Sequence, residues 1–503
     1  MRKQTKLVAV LSATSLLAIG ASMTSFAATG WVNENGTFYY YDADGEMVTD
    51  EWQRDGNGYF YLGEDGAMLT NSWVEDEYYV GPNGAMVTNA WVKTMLDDSD
   101  DSDPEDDGES WFYFNNRGRK VYGEERRINN RYYRFDEDGR MIDGWYSDGD
   151  DVYYYGDEDD GARKTGWLWL EADIDDGGVD EALSDTDNDL EAWYYFDSTG
   201  KRVTSKERKI NGSWYAFNDY GQMLYGWVRT GIWESDEIAT EGNASASNIE
   251  NLKYYFNVEN GARVTGFVRV DGPNATGRQD DTNWYYFKDG KAKYADMEED
   301  VVYVDKYGVA STNNAEEGVT KYIKKERLEG RYFAFDQYGR MKTGIQPVAV
   351  KDSAGNVVDY DVYYFDDNGY MRTGRVSGIE DGDDESTYYF NTNNANAGRG
   401  ITGEKDSSLY YKGRRQDASD DYKVVEVSGK IYLVNTRGRI QKSSSRLYTD
   451  IENEGIDSIM VNSNGEVVRV NASSARADDG VAAADFFAIY GGSIAPKAPY
   501  FEP

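Results

Sequence analysis

From Gly30 onward, short aromatic and aliphatic runs alternate with polar, glycine-bearing segments, and the order of these elements repeats. A Trp opens each of the first units, at Trp31, Trp52, Trp73 and Trp91, with spacings of 21, 21 and 18 residues. A Gly-containing turn such as Asn35-Gly36 or Asp55-Gly56 follows in the first two, then an aromatic run: Phe38 to Tyr41, Tyr59 to Tyr61, Tyr78-Tyr79. A second Asp/Asn-Gly turn comes next (Asp44-Gly45, Asp65-Gly66, Asn83-Gly84), and two residues after its Gly stands Met47, Met68 or Met86. Asn-Gly and Asp-Gly supply the positive φ of tight hairpin turns. The aromatic runs are too short for helices and carry strand-forming residues. Each unit therefore predicts one β-hairpin plus a connector.

A lone hairpin cannot bury its aromatic face, so successive units must stack and share a core. The expected fold class is all-β: an elongated solenoid of stacked β-hairpin repeats of about 20 residues, with acidic loop insertions. The pattern continues, loosened, through Trp111-Phe112-Tyr113-Phe114, Tyr132-Tyr133, Trp193 to Phe196, Trp284 to Phe287 and Tyr388 to Phe390, about sixteen units in all. A longer echo overlies it. Glu124-Glu125-Arg126-Arg127-Ile128, Lys206-Glu207-Arg208-Lys209-Ile210 and Lys324-Lys325-Glu326-Arg327-Leu328 each precede an aromatic pair and then a Gly-x-Met unit at Met141, Met223 and Met341.

Asp97 to Glu109, Glu171 to Glu191 and Gly378 to Glu385 are irregular acidic inserts and read as loops on one face, partly disordered. At the start, Arg2, Lys3 and Lys6 precede an apolar stretch from Leu7 to Ile19, and Ser25-Phe26-Ala27 offers a cleavage pattern. The stretch is too short and too interrupted for a membrane span. The expected organisation is a signal peptide at 1–27, regular short repeats at 28–95, longer degenerate hairpins at 96–442 and an atypical cap or tail at 443–503. The expected location is outside the cell, on its surface, without membrane insertion.

Composition then narrows the chemistry. The chain has no Cys and no His, which removes disulfides, thiol chemistry and the commonest general base and metal ligand. A net charge of −39 opposes nucleic acid and anionic lipid and favours cationic or neutral ligands. Asp185-Thr186-Asp187-Asn188-Asp189 has alternating oxygens but lacks the Gly and later Glu of a calcium loop, so no metal is assigned. The expectation is a protein that is not an enzyme, with no catalytic residues, no cofactor and no oligomeric state assigned.

The Gly-Trp, aromatic run, Gly-x-Met-x-Thr order from about Gly30 to Arg439 resembles the choline-binding or cell-wall-binding repeats of Gram-positive bacteria. It is also similar to glucan-binding repeats of streptococcal glucosyltransferases and to clostridial toxin C-terminal repeats. The resemblance implies an aromatic cage between consecutive hairpins, built from the opening Trp, the first aromatic of the run and an aromatic of the neighbour, with Met nearby. Carried onto this chain, the candidates are Trp31, Phe38, Met47, Trp52, Tyr59, Met68, Trp73, Tyr78, Met86 and Trp91. Met is read as replaced near Val121, Lys164, Val203 and Val264, and the opening Trp as lost at Phe267, Ile345 and Arg375. The implied partner is a cell-wall polymer, either choline-substituted teichoic acid or a glycan. A secreted adhesin for host or dietary glycans and a targeting subunit for a separate cell-wall hydrolase are the alternatives.

Overall fold

The computed structural model describes residues 29–96, 108–171, 191–228, 254–272, 282–305, 308–311, 318–393, 395–475, 479–490 and 494–501. The expected signal peptide, the candidate calcium loop and nearly all of the first two acidic inserts lie outside them. The described residues fold into sixteen small antiparallel sheets, most of two strands, and none closes into a barrel. The chain divides into two compact units, 1–204 with 220–222 and 205–219 with 223–503.

The first unit stacks seven hairpins. The first pairs β1 (Gly30–Glu34) with β2 (Thr37–Tyr41), placing Trp31 opposite Tyr40. Its turn residues Asn35 and Gly36 have φ of 57° and 96°, the left-handed pair that a two-residue hairpin needs. The next pairs are Glu51–Asp55 with Gly58–Leu62, Ser72–Val74 with Tyr78–Val80, and Ala90–Thr94 with Ser110–Phe114. They are followed by Glu125–Ile128 with Arg131–Arg134, Trp145–Asp148 with Asp151–Tyr154, and Gly166–Glu171 with Glu191–Phe196.

After each aromatic run an Asp or Asn side chain organises the second turn. Asp42 Oδ1 accepts the N–H groups of Asp44 and Glu46 at 2.9 and 2.8 Å, and Asn115 and Asp136 repeat the arrangement. The strand period of two divides each run between core and surface. Phe112 and Phe114 are buried while Trp111 and Tyr113 remain half-buried; Tyr194 and Phe196 are buried while Trp193 is exposed.

The second unit continues with hairpins that include Lys206–Ile210 with Ser213–Phe217, Gly226–Val228 with Tyr254–Phe256, Lys324–Leu328 with Arg331–Phe335 and Gly344–Lys351 with Val357–Phe365. The third acidic insert is not a loop. Gly374–Asp381 and Asp384–Phe390 carry it as a long hairpin, because Ile379 buries its side chain and Asp381 is neutralised by buried Arg414. From Tyr422 the core turns aliphatic: Val424, Leu433, Ile459, Val461 and Val470 pack with Phe487 of helix α1 (Ala483–Tyr490). The chain then returns to the unit's interior, where Phe501 meets Tyr360 edge-on at 5.7 Å and Tyr500 N–H donates to Asp381 at 2.8 Å.

Candidate functional site

Six junctions join the seven hairpins of the first unit, and one backbone hydrogen bond defines each. The residue two positions after the second-turn Gly donates its N–H to the carbonyl at the first position of the preceding run. The bonds run Met68 to Phe38, Met86 to Tyr59, Lys120 to Glu77, Met141 to Trp111, Arg163 to Tyr132 and Arg202 to Val152, at 2.7–2.8 Å. This register places the side chain of one hairpin beside the opening residue and the first run residue of the hairpin before it.

Where a Trp opens the hairpin, it is wedged between a ring of its own hairpin and a ring of the next. Trp31 contacts Tyr40 of its own hairpin at 5.3 Å and Phe60 of the next at 5.4 Å. Trp52 meets Tyr61 at 5.2 Å and Tyr78 at 5.5 Å, and Trp91 meets Tyr113 at 5.1 Å and Tyr133 at 4.9 Å. T-shaped contacts of this kind add about 0.5–1.5 kcal/mol each beyond area burial. The first aromatic of the run behaves differently: Tyr59, Tyr132, Trp193, Trp214, Trp284 and Tyr332 all stay exposed, at 36–45%. A large ring partly exposed at the same position in six hairpins is the kind of surface a ligand takes, and cations of the chain lie within 6 Å of four of these rings, Tyr59, Tyr132, Trp214 and Tyr332.

The backbone bonds place Met68 against Phe38 on the hairpin opened by Trp31, and Met86 against Tyr59 on the hairpin opened by Trp52. Four candidates sit differently. Trp73 is a buried core residue whose indole N–H donates to Met95 O at 2.7 Å, because the longer fourth hairpin covers it. Tyr78 aligns with Phe60 as the second run residue, and Glu77 takes the first position. Met47 pairs with Tyr41, is exposed, and has no described hairpin before it. Trp91 joins a set the sequence reading omitted, with Trp111 at 6.5 Å, Tyr133 and Met141.

The three methionines of the first repeats have a structural task as well. Each lies over the next hairpin's turn glycine: a Cβ added to Gly66 would lie 2.6 Å from Met47 Sδ, one at Gly84 2.7 Å from Met68 Sδ, and one at Gly118 2.6 Å from Met86 Sδ. The same socket later receives Lys120, Arg163 and Arg202, at Gly139, Gly200 and Gly221. The residues replacing Met are thus Lys120, Arg163, Arg202 and, in the second unit, Arg263, each one position before the residues marked by sequence.

Electrostatics follow from these partners. The Asp50 carboxylate accepts from Tyr61 Oη at 2.6 Å, and this bond, with burial, pushes the phenol up to about 12. Burial lowers the Lys120 ammonium from its usual value. Among the described residues no group of three or more acidic side chains is placed to hold a metal ion, and no helix is long and apolar enough to cross a membrane.

Comparison with known proteins matches the junction-forming segments to repeat families. The choline-binding repeat family matches residues 50–85 and 67–95, and the cell wall binding repeat family matches 29–47, 186–201 and 278–290. Glucosyltransferase-S of Streptococcus mutans is 26% identical over 279 residues, covering 53% of this chain and 17% of that protein. Among solved structures, the modular autolysin LytC of Streptococcus pneumoniae is 21% identical, covers 63% of this chain and 54% of its own, and has a TM-score of 0.34. Choline binding protein F of the same organism is 17% identical over 88% of this chain and all of its own, with a TM-score of 0.23. The chain thus spans about a sixth of the curated relative and about half of the autolysin. On hairpins that stack Trp, aromatic-run and Gly-x-Met elements, the chain carries repeats of the choline-binding and cell wall binding repeat families over the matched segments.

Proposed function

We propose that this chain is an exported binding protein, not an enzyme, that holds a choline-bearing cell-wall polymer at the Met junctions of its first hairpins. The observation that supports this reading is the second junction. There Trp52 and the exposed ring of Tyr59 stand with Met86, whose N–H is bonded to Tyr59 O at 2.7 Å. Ring faces attract a quaternary ammonium by about 0.5–2 kcal/mol each, and a thioether is a soft, polarizable neighbour. The net charge of −39 adds a long-range pull on cations. Single sites of this kind are weak, and several on one chain acting on a polymer give avidity. Incubating the purified chain with choline-bearing cell walls tests it: the chain should pellet with the walls and be released by free choline. Release by sugar and not by choline contradicts the choline reading, and cleavage of peptidoglycan by the purified chain contradicts the non-enzymatic one.

A second reading, glycan recognition, is favoured by one feature of the second unit. A cavity of about 510 Å3 is lined by Asp359, Asp361, Asn391, Arg399, Tyr411 and Lys412 among others. Its ion pairs, Asp359 with Lys412 at 2.6 Å and Asp361 with Arg399 at 2.7 Å, set donors and acceptors beside tyrosine rings. A glycan array probed with wild-type and Arg399→Ala chains tests this reading; equal binding by both contradicts it.

A further inference from the structure

At two junctions, one in each unit, the Met position and the opening position are both replaced by charged residues. In strand register, Glu125 stands where neighbouring hairpins carry the opening Trp, since it pairs with Arg134 as Trp91 pairs with Tyr113. Glu207, which pairs with Ala216, occupies the same place in the second unit. The residue that reaches Glu125 from the next hairpin is Arg163, with Nη1 donating to Oε1 at 2.7 Å, and the one that reaches Glu207 is Arg263, at 3.0 Å. Both pairs are largely shielded from solvent, with side-chain exposures of 14–24%. Each guanidinium also lies over the first aromatic of the preceding run: Arg163 is 4.4 Å from the Tyr132 ring and Arg263 is 5.0 Å from Trp214.

Two other junctions put the cation on the opening Trp instead. Lys120 Nζ is 5.2 Å from the Trp73 ring, and the Arg202 guanidinium is 5.6 Å from Trp145. In the third echo unit, Lys325 stands at the opening position opposite Ala334, with Nζ 5.3 Å from the Tyr332 ring and 3.6 Å from Tyr363. The six junctions of the first unit therefore fall into two kinds. Those with Met68, Met86 and Met141 put a thioether in the slot, and those with Lys120, Arg163 and Arg202 put a cation there; at the Met86 junction a cation of the preceding hairpin itself, Arg54, lies 5.7 Å from the Tyr59 ring.

We propose that Arg163 with Glu125, and Arg263 with Glu207, are built-in occupants of aromatic junctions that would otherwise take a quaternary ammonium, so that ligand is confined to the Met junctions. A cation tethered beside its ring competes at a high effective concentration. Its carboxylate partner, at the Trp position, removes one wall of the cage and holds the guanidinium in place with a charge-assisted bond. The assignment rests on the reading that Met junctions bind a quaternary ammonium.

Counting choline sites per chain by calorimetric titration tests both statements separately. The double variant Glu125→Trp/Arg163→Met restores the neighbouring junctions' residue set and should bind one more choline than wild type. Met86→Arg, which places at an open junction the residue that Arg163 shows the fold accepts, should bind one fewer while keeping its far-UV circular dichroism. A wild-type chain that binds no choline overturns the reading beneath the proposal. A wild-type chain that binds choline, with both variants matching its site count, overturns the proposal itself.

Discussion

Arg163 Nη1 is hydrogen-bonded to Glu125 Oε1 at 2.7 Å, in the place where the junction before it sets Met141 against Trp91 and Trp111. Tyr155 Oη donates to the same Glu125 oxygen at 2.8 Å, and burial together with this bond raises the Tyr155 phenol well above its usual value. Arg163→Met alone leaves the carboxylate without its cation in a shielded site, a loss of about 1–3 kcal/mol. Adding Glu125→Trp removes the stranded charge and should recover most of that loss. Urea denaturation of the two single variants and the double one gives the coupling; additive effects contradict the pairing.

Gly66 has φ of 76°, and a Cβ there would lie 2.6 Å from Met47 Sδ. Gly66→Ala therefore meets two penalties, the left-handed backbone at about 1–2 kcal/mol and displacement of the thioether. Thermal unfolding should fall by several degrees. Adding Met47→Ala should relieve the steric part and leave the backbone part. An unchanged Tm in Gly66→Ala contradicts the socket.

Lys325 links a junction to pH. Burial pushes its ammonium down to about 8, against the opposing pull of Asp361, while the Tyr363 ring lies 3.6 Å away. Between about pH 8 and the unfolded value of 10.5, the folded state holds fewer protons than the unfolded one, so this group adds stability as pH rises. Below pH 8 both states are protonated and the contribution is flat. The denaturation midpoint of wild type relative to Lys325→Met should therefore rise from pH 8 to pH 10. Parallel curves for the two chains contradict the buried ammonium.

Asp381 and Arg414 form an ion pair with side chains only 1% and 4% exposed, and Arg414 Nη2 also donates to Ser386 Oγ at 3.0 Å. Removing one partner of such a pair costs about 3–5 kcal/mol, because the other charge stays buried and unpaired. Asp381→Ala should lower the stability of the second unit by that amount; a loss below 1 kcal/mol contradicts a closed pair.

Much of this is legible in the sequence. Asn35-Gly36 and the Gly-x-Met spacing mark hairpin turns, and the period of two within Trp111 to Phe114 foretells which rings are buried. The junction between hairpins was legible only in part. Local patterning places Trp52 and Tyr59 on one hairpin, but which residue of the next hairpin faces them depends on the inter-hairpin bond from Met86 to Tyr59. Matching Met to Val121 or Val203 missed by one residue, and in a strand one residue moves a side chain to the other face. Holding the Gly-x-Met spacing fixed would have read Gly118-Arg119-Lys120 and Gly200-Lys201-Arg202, and shown cations in the Met slot. Asp381 misled by composition: in a run of acidic residues, nothing local announces that one of them meets Arg414, thirty-three residues on.

The most direct measurement of the central claim is a calorimetric titration of choline into the purified chain beside a Trp31→Ala/Trp52→Ala/Trp91→Ala variant that retains its far-UV circular dichroism. Wild type should bind choline at more than one site per chain, and the variant should lose the sites of the first unit. Equal binding by the two chains, or none by wild type, would contradict ligand recognition at the Met junctions.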